Sequence, residues 1–269
     1  MIERADRQSP VTEYFEKDAA FWEQLYDHDD VFGVIHRERA ARAIREIGRL
    51  PMLVGSHVLE VGCGAGLMAV KLAGRGFLVE ATDATQSMIE LTRVNAERSG
   101  VTSRLATRIA DAHSLEYPAE TFDLVLALGV LPWLHSPDVA LKEMTRVLRR
   151  GGYLIVNTDN RGRLTHLVDP LFNPAAQPIR RLLGHGRPTG PAVRTVWPRR
   201  FDRELKRVGL KKERSFTFGF GPFTVLGRHA VRGRAGVAVH SVLQRLADEQ
   251  LPVLRRTGAQ YMVVARKVR

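Results

Sequence analysis

The sequence HVLEVGCGAG, residues 57–66, is a short apolar run that leads directly into a glycine-rich turn. Its first five residues, rich in valine and leucine, predict a buried strand. Glycines at 62, 64 and 66 let the backbone turn tightly and approach a ligand closely. The apolar spacing over 67–73 predicts a helix whose N–H groups point at a polar or anionic group. We therefore expect a strand, a ligand-binding turn and a helix in succession.

Strand and helix patterns alternate on the carboxyl-terminal side of this turn. The predicted elements are strands at 77–82, 105–110, 122–128 and 153–157, with helices at 86–99 and 136–148. Five strands separated by helices imply a mostly parallel sheet covered on both faces. In such a sheet ligands bind at the carboxyl ends of the strands. The chemistry is therefore expected at 62–66, Asp83, Asp111 and 129–135.

The segments around this core have a different character. Residues 1–50 predict an N-terminal helical cap, and 51–160 the α/β core. The segment 161–200 contains 6 of the 13 prolines, 8 arginines and a single acid, Asp169, so we expect a basic insertion with little regular structure. Residues 201–269 are expected to complete the sheet with an antiparallel pair. Their predicted elements are a helix at 200–208, a strand at 211–218, an amphipathic helix at 237–250 and a strand at 259–267.

Three carboxyl groups stand where a nucleoside ligand needs them. Glu60 precedes the first glycine of the turn by two residues, and Asp83 ends the second predicted strand. A carboxylate at the end of that strand can accept hydrogen bonds from both ribose hydroxyls. Asp111, at the end of the third strand, can accept one from an adenine amino group. A nicotinamide enzyme would need GxGxxG, whereas position 67 here is Leu.

Several motifs in a fixed order resemble the class I S-adenosylmethionine-dependent methyltransferases. They are VLEVGCGAG (58–66), Asp83, Asp111-Ala112, FDLVLALGVLPWL (122–134) and RVLRRGGYLIV (146–156). The resemblance is close over 57–157 and loose in the flanks. It implies an α/β, Rossmann-like fold with a seven-stranded, mostly parallel sheet, an antiparallel last strand and helices on both faces. It also implies S-adenosyl-L-methionine as the cofactor.

The same resemblance assigns a cofactor site residue by residue. The expected cofactor-binding residues are Arg37, Glu60, Gly62, Cys63, Gly64, Gly66, Asp83, Ala84, Met88, Asp111, Ala112, Leu128 and Gly129. Glu60 and the turn glycines would hold the methionine part, and Asp83 the ribose. Met88 would pack near the adenine, with Asp111 and the residue after it at the adenine's polar edge. The backbone of Gly129 and of the residue before it would pass under the sulfonium.

Within the class, the chain is most similar to the small-molecule methyltransferases of ubiquinone and magnesium-porphyrin biosynthesis. The similarity lies in YFEKDAAFWEQLYD (14–27) followed by IHRERAARAI (35–44). In that group an early arginine reaches the cofactor carboxylate, and Arg37 is the matching position. After the fourth strand, ubiquinone O-methyltransferases carry acidic residues and a histidine, whereas this chain has Gly129, Pro132 and Trp133. This departure speaks against a metal-assisted catechol reaction, so no metal is expected.

Methyl transfer from a sulfonium is an in-line displacement, so the protein mainly aligns the reactants and excludes water. If the acceptor is a hydroxyl, a general base with a pKa near neutrality helps, and histidine is the usual choice. His135 follows the fourth strand and is our predicted catalytic residue. Trp133 would form an apolar wall beside it. His166 in the insertion is a second candidate for the same role.

The net charge of +12 is distributed unevenly along the chain. Residues 1–160 carry a net charge of −5 and residues 161–269 a net charge of +17. A basic half can indicate nucleic acid or an anionic membrane. Leu164, Leu167, Val168, Leu171 and Phe172 form a helical apolar stripe near arginines, a pattern that suits an anionic lipid surface. It equally suits a lid that packs on the domain.

These observations predict an enzyme that methylates a small, apolar or lipid-like acceptor, most simply on oxygen and without metal. One alternative is an RNA or DNA methyltransferase that uses the basic half. Against it, no aromatic residues interleave with the arginines as stacking platforms would. A second alternative is an inactive cofactor-binding scaffold. Cys63 is the only cysteine and the N-terminus is polar, so we expect a cytoplasmic protein. Peripheral contact with the inner membrane face is an open alternative, and the sequence leaves the oligomeric state open.

Overall fold

The computed structural model describes residues 11–17, 19–169, 173, 193–225 and 228–268. Its amino-terminal part is helical: residues 11–17 are followed by α1 (Ala19–Gln24), a 3-10 turn (Leu25–Asp27) and α2 (Val31–Ile47). The residue before α2, Asp30, caps it by accepting the hydrogen bond of the Gly33 N–H at 2.8 Å. Such a cap satisfies one of the free N–H groups of the first turn.

From residue 57 onward, strands and helices alternate. The elements are β1 (His57–Val61), α3 (Leu67–Ala73), β2 (Leu78–Asp83), α4 (Gln86–Arg98), β3 (Leu105–Ile109), β4 (Phe122–Ala127), a 3-10 turn (Leu131–Trp133), α5 (Pro137–Val147), β5 (Leu148–Asn160), α6 (Leu164–Val168), β6 (Thr195–Val196), α7 (Pro198–Arg207), β7 (Leu210–Phe218), β8 (Phe223–Val225), β9 (Arg228–Val231), α8 (Gly233–Asp248), α9 (Leu254–Thr257) and β10 (Gln260–Lys267). Most predicted bounds are correct within one or two residues.

Eight of the strands form one sheet in the order β3-β2-β1-β4-β5-β10-β7, with the two-residue β6 paired to β5 outside this path. All pairings from β3 to β5 are parallel, and β10 is antiparallel to both of its neighbours. The predicted α/β fold and its antiparallel closing pair are therefore confirmed. Because the strand order reverses between β1 and β4, a crevice opens at their carboxyl ends.

Two apolar layers cover the sheet. Helices α2, α3 and α4 pack on one face, and α5 and α7 on the other. Consecutive residues of β1 serve both layers: Val58 belongs to the first and Leu59 to the second, and both side chains are fully buried. Burial on both faces explains why the central strands read as continuous apolar runs.

The carboxyl-terminal half departs from the prediction in three places. Strand β5 runs over 13 residues, well beyond the predicted 153–157. Helix α8 begins at Gly233 rather than at residue 237, and β8 and β9 form a separate hairpin that the sequence left undecided. Of the predicted apolar stripe, Leu171 and Phe172 lie outside the described residues. No helix in the described part of the chain has the length and apolar character needed to cross a bilayer.

Candidate active site

A cavity of about 490 Å³ opens at the carboxyl ends of β1, β2, β4 and β5. This volume lies in the range of small-molecule and cofactor pockets. Eleven of the predicted cofactor residues line it: Glu60, Gly62, Cys63, Gly64, Asp83, Ala84, Met88, Asp111, Ala112, Leu128 and Gly129. The other two, Arg37 and Gly66, are not part of the lining.

The three glycines of the turn all have positive φ, between 55° and 74°, but they differ in what surrounds them. A Cβ at Gly62 would overlap with Val130, and one at Gly66 with the side chain of Thr92. A Cβ at Gly64 would meet no atom within 4 Å. Gly66 therefore serves the packing of α3 on α4, whereas Gly64 leaves open space for a ligand.

Asp83 ties the turn to the end of β2. Its Oδ2 accepts the hydrogen bond of the Gly64 N–H at 3.0 Å, and its Oδ1 accepts from the N–H and hydroxyl of Thr85 at 3.1 and 3.0 Å. Burial raises the pKa of Asp83, and these hydrogen bonds oppose the rise. The carboxylate thus holds the turn in shape while it lines the cavity.

Glu60 is almost completely buried, at 3% exposure. Burial raises its pKa from the ordinary 4.5 to about 8. A backbone hydrogen bond from Ala69 and the charge of Arg39 oppose this rise, whereas the charge of the nearby Asp83 adds to it. The Oε2 atom of Glu60 has no hydrogen-bond partner among the described residues. A buried acceptor without a partner is costly, so this carboxyl group is suited to receive a ligand's donor.

The structure places Arg39, not Arg37, in the cavity. Arg37 donates from NH1 to the carbonyl oxygens of Tyr26 and His28, at 2.6 and 2.7 Å, and so fixes the preceding turn against α2. Arg39 lies against Gly129, and its buried Nε has no partner within the described part of the chain. Residues two apart on a helix point in nearly opposite directions, so only one of the two arginines can face the cavity. The arginine suited to a cofactor carboxylate is therefore Arg39.

A chain of amides joins three strands at the other end of the cavity. The Gly129 N–H donates to Asn157 Oδ1 at 2.7 Å, and Asn157 Nδ2 donates to Gln260 Oε1 at 3.2 Å. These contacts fix the loop after β4 to the ends of β5 and β10. Gln260 and Asp159 also line the cavity, and the sequence reasoning missed both.

The predicted catalytic residue, His135, lies behind the lining rather than in it. Its ring stacks on that of His113 with centroids 4.0 Å apart. The Nδ1–H of His113 in turn donates to Asp111 Oδ1 at 2.6 Å, which lowers the pKa of Asp111. His166, the second candidate, accepts a hydrogen bond from Arg163 Nε at 2.9 Å and is also outside the lining. A role for either histidine as base stays a prediction from sequence.

Aromatic side chains from the N-terminal helices close the cavity. The ring of Tyr14 stacks on Trp133 at 5.9 Å, and Phe15 meets the edge of the same indole at 5.2 Å. Trp22 packs against Phe15 at 5.0 Å and completes an aromatic roof, by which we mean these four residues. The predicted apolar wall at Trp133 is thus part of a larger apolar cover.

These residues fit S-adenosylmethionine. The Oε2 of Glu60, which has no partner among the described residues, suits its ammonium group, and the guanidinium of Arg39, whose Nε likewise has none, suits its carboxylate. The open space at Gly64 leaves room for the methionine chain. Asp83 and the buried Met88 line the same cavity, where they would hold the ribose and the adenine.

Strand order and cavity lining are both similar to those of the class I S-adenosylmethionine-dependent methyltransferases. Residues 59–156 match the family described as methyltransferase domain. The ubiquinone biosynthesis O-methyltransferase of Thiobacillus denitrificans is 26% identical over 203 residues, which cover 76% of this chain and 84% of that protein. Methyltransferase GfsG of Streptomyces halstedii is 34% identical over 109 residues, or 40% of this chain and 39% of that protein. The crystal structure of magnesium protoporphyrin IX methyltransferase from Synechocystis PCC 6803 superposes with a TM-score of 0.67 at 16% identity and covers 97% of this chain and 99% of that one.

Proposed function

We propose that this methyltransferase transfers a methyl group to the hydroxyl oxygen of a small, largely apolar acceptor. The observation that carries the proposal is the aromatic roof, which covers the cavity on the side of Gly129 with apolar side chains. An apolar acceptor gains free energy by leaving water for such a surface. The O-methyltransferases among the similar proteins support oxygen as the atom that is methylated.

The cofactor supplies a methyl group that is already activated on a sulfonium. The residues of this chain then have three tasks: to hold the cofactor, to align the acceptor and to exclude water. The roof excludes water, because it joins the helical residues 11–17 and α1 to the loop after β4. The hydrogen bond between Gly129 and Asn157 fixes the backbone beneath the point of transfer.

The experiment is a transfer assay with a panel of acceptors. The purified chain is incubated with S-adenosylmethionine and, separately, with a phenol, a phenol carrying an alkyl tail, an aromatic carboxylic acid, RNA and DNA. Mass spectrometry then detects S-adenosylhomocysteine and the methylated product. We expect turnover with the hydroxyl acceptors, and more with the alkyl phenol because it buries more apolar surface.

The control variants separate the possible failures. Asp83→Ala should abolish turnover, whereas Asp138→Asn, a change in the first turn of α5 away from the cavity lining, should leave it unchanged. Methylation of RNA or DNA alone would contradict the proposal and favour the nucleic-acid alternative. Cofactor binding without turnover on any acceptor would favour the inactive scaffold.

We also propose that the basic half contacts an anionic membrane surface, where an apolar acceptor would be found. On α8, Val239 and Val242 are 40% and 56% exposed, with Arg234 and Arg245 exposed on the same helix. Exposed apolar residues beside arginines are typical of helices that lie in a lipid interface. The test is flotation with anionic and with neutral vesicles at low salt: Val242→Ser should weaken anionic binding, and Val94→Ser on α4 should not. Equal flotation with both vesicle types would contradict the proposal.

A further inference from the structure

Asp159, whose side chain is 18% exposed, is a carboxyl group in the cavity to which no role has yet been assigned. It lies near the carboxyl end of β5, two residues after Asn157. Alternate residues of a strand point to the same face, so both side chains belong to the face on which Asn157 bonds Gly129. Two residues of strand span about 7 Å, so Asp159 lies about that far along β5 from the residue that bonds the loop after β4.

Strand pairing on both sides holds this position rigidly. Asp159 is paired with Gln260 of β10 and with Thr195 of β6. A group on a paired strand is positioned better than one on a loop. Its carboxylate therefore has a fixed relation to the backbone beneath the point of transfer.

Two arginines act on the Asp159 carboxylate. Arg163 NH1 lies 3.5 Å from its Oδ2, and Arg39 faces it from α2. Burial raises the pKa of Asp159, while both arginines oppose the rise. The group is thus a stronger base than an ordinary exposed aspartate, which favours proton transfer near neutral pH.

The other titratable groups near the acceptor are less suited to receive a proton. His36 lines the cavity, but its Nδ1–H is given to the Phe32 carbonyl at 2.8 Å, and burial beside Arg39 lowers its pKa to about 3. His135 and His166 stand outside the lining. Asp159 instead lines the cavity and lies on β5, the strand whose Asn157 accepts the hydrogen bond of the Gly129 N–H.

We propose that Asp159 receives the proton of the acceptor and that the acceptor is a phenol. The proposal rests on the function proposed above and adds the chemical class of the substrate. The O–H bond of the acceptor breaks, and its proton passes to the Asp159 carboxylate. The O–C bond to the methyl group forms as the S–C bond breaks, and the electron pair of the S–C bond stays on sulfur.

Both halves of the proposal follow from the lining. A carboxylate acceptor would bring a second negative charge next to Asp159, which is unfavourable in a largely buried site. A hydroxyl instead donates a hydrogen bond to it. Flat aromatic rings fit the aromatic roof, where ring stacking and edge contacts add to the burial of apolar surface. A phenol satisfies both requirements.

The first test is spectroscopic and needs no turnover. The probe is 4-nitrophenol, whose neutral and ionised forms absorb at different wavelengths, titrated with pH in the presence of the full chain and saturating S-adenosylhomocysteine. In the wild type, the charge of Asp159 should raise the pKa of the bound probe by about one unit or more. Asp159→Asn should remove that rise, and Asp138→Asn should keep it.

The second test uses the acceptor that the transfer assay identifies. Asp159→Asn should lower kcat at neutral pH by roughly 10²-fold, the usual contribution of a general base, with recovery at alkaline pH where the phenol ionises by itself. Asp159→Glu should restore part of the rate. All three proteins should still bind S-adenosylhomocysteine in calorimetry.

The outcomes separate this proposal from the proposed function. Phenol methylation with an unchanged rate and probe titration in Asp159→Asn would overturn only the role of Asp159. Loss of rate confined to His135→Ala would assign the base to His135 instead. A wild type that binds S-adenosylhomocysteine but not the probe would overturn the phenol, and a wild type that methylates no hydroxyl at all would overturn the proposed function.

Discussion

Replacing Glu60 by Gln should remove one pH-dependent contribution to the protein's stability. Glu60 has a pKa of about 8 in the folded protein, against an ordinary 4.5. Between these values the folded state keeps a proton that the unfolded chain releases. The contribution of Glu60 to stability is therefore fully present below pH 4.5 and is lost as the pH rises toward 8.

The size of this effect follows from the shift in pKa. A shift of roughly 3.5 units corresponds to about 4 to 5 kcal/mol at 1.36 kcal/mol per unit. A glutamine does not titrate, so the Glu60→Gln protein lacks this term. The variant's free energy of unfolding minus that of the wild type should then increase by roughly 1 kcal/mol per pH unit between about pH 5 and pH 8. Taking the difference cancels the contributions of groups that do not interact with Glu60.

Urea unfolding of both ligand-free proteins, followed by tryptophan fluorescence across this pH range, measures the difference directly. Two unfolding free energies that run parallel with pH would refute the assignment of a raised pKa to Glu60. Calorimetry provides a second measurement. If the ligand's ammonium group ionises Glu60, the wild type should release about one proton when it binds S-adenosylhomocysteine near pH 7, and the variant none.

Three further predictions use matched variants. Arg39→Met should weaken S-adenosylhomocysteine binding in calorimetry by roughly 10- to 100-fold, the value of a charge-assisted hydrogen bond. Arg37→Met should leave the affinity unchanged. Equal losses in the two variants would contradict the placement of Arg39 in the cavity. Gly64→Ala should reduce binding more than stability, whereas Gly66→Ala should lower the unfolding free energy by about 1–3 kcal/mol, because its Cβ would overlap with packed atoms. The pKa of His36 is lowered from 6.5 to about 3, so below pH 6.5 the unfolded chain takes up a proton that the folded protein does not, and stability falls. His36→Phe should therefore melt at a higher temperature than the wild type near pH 5.

Sequence periodicity was sufficient to predict the half of the fold that carries the cofactor. Strands β1 and β4 are buried on both faces, so their sequences are uninterrupted apolar runs with turn residues at each end. The positions of Asp83 and Asp111 followed because each comes where an apolar run stops. Their places at the strand ends could therefore be predicted without knowledge of contacts between residues distant in the sequence.

The residues that the sequence reasoning misplaced or missed depend on contacts between residues distant in the sequence. The choice between Arg37 and Arg39 is a matter of helix phase, and α2 has apolar residues toward both the sheet and the cavity. The apolar run stops at residue 157, and Asp159 and Asn160 have low strand propensity, so the predicted strand ended there. Pairing with β10 and β6 keeps them in β5 all the same, since tertiary context overrides local propensity in strands.

Arg39 connects the two ends of the site. It opposes the raised pKa of both Glu60 and Asp159, which lie on β1 and β5, the two neighbours of β4. Once a cofactor carboxylate pairs with Arg39, less positive charge acts on Asp159, and the pKa of Asp159 rises further. We therefore expect Asp159 to become more basic when the cofactor binds. Binding of the cofactor before the acceptor is then the productive order. Arg39→Met should remove this dependence along with the affinity.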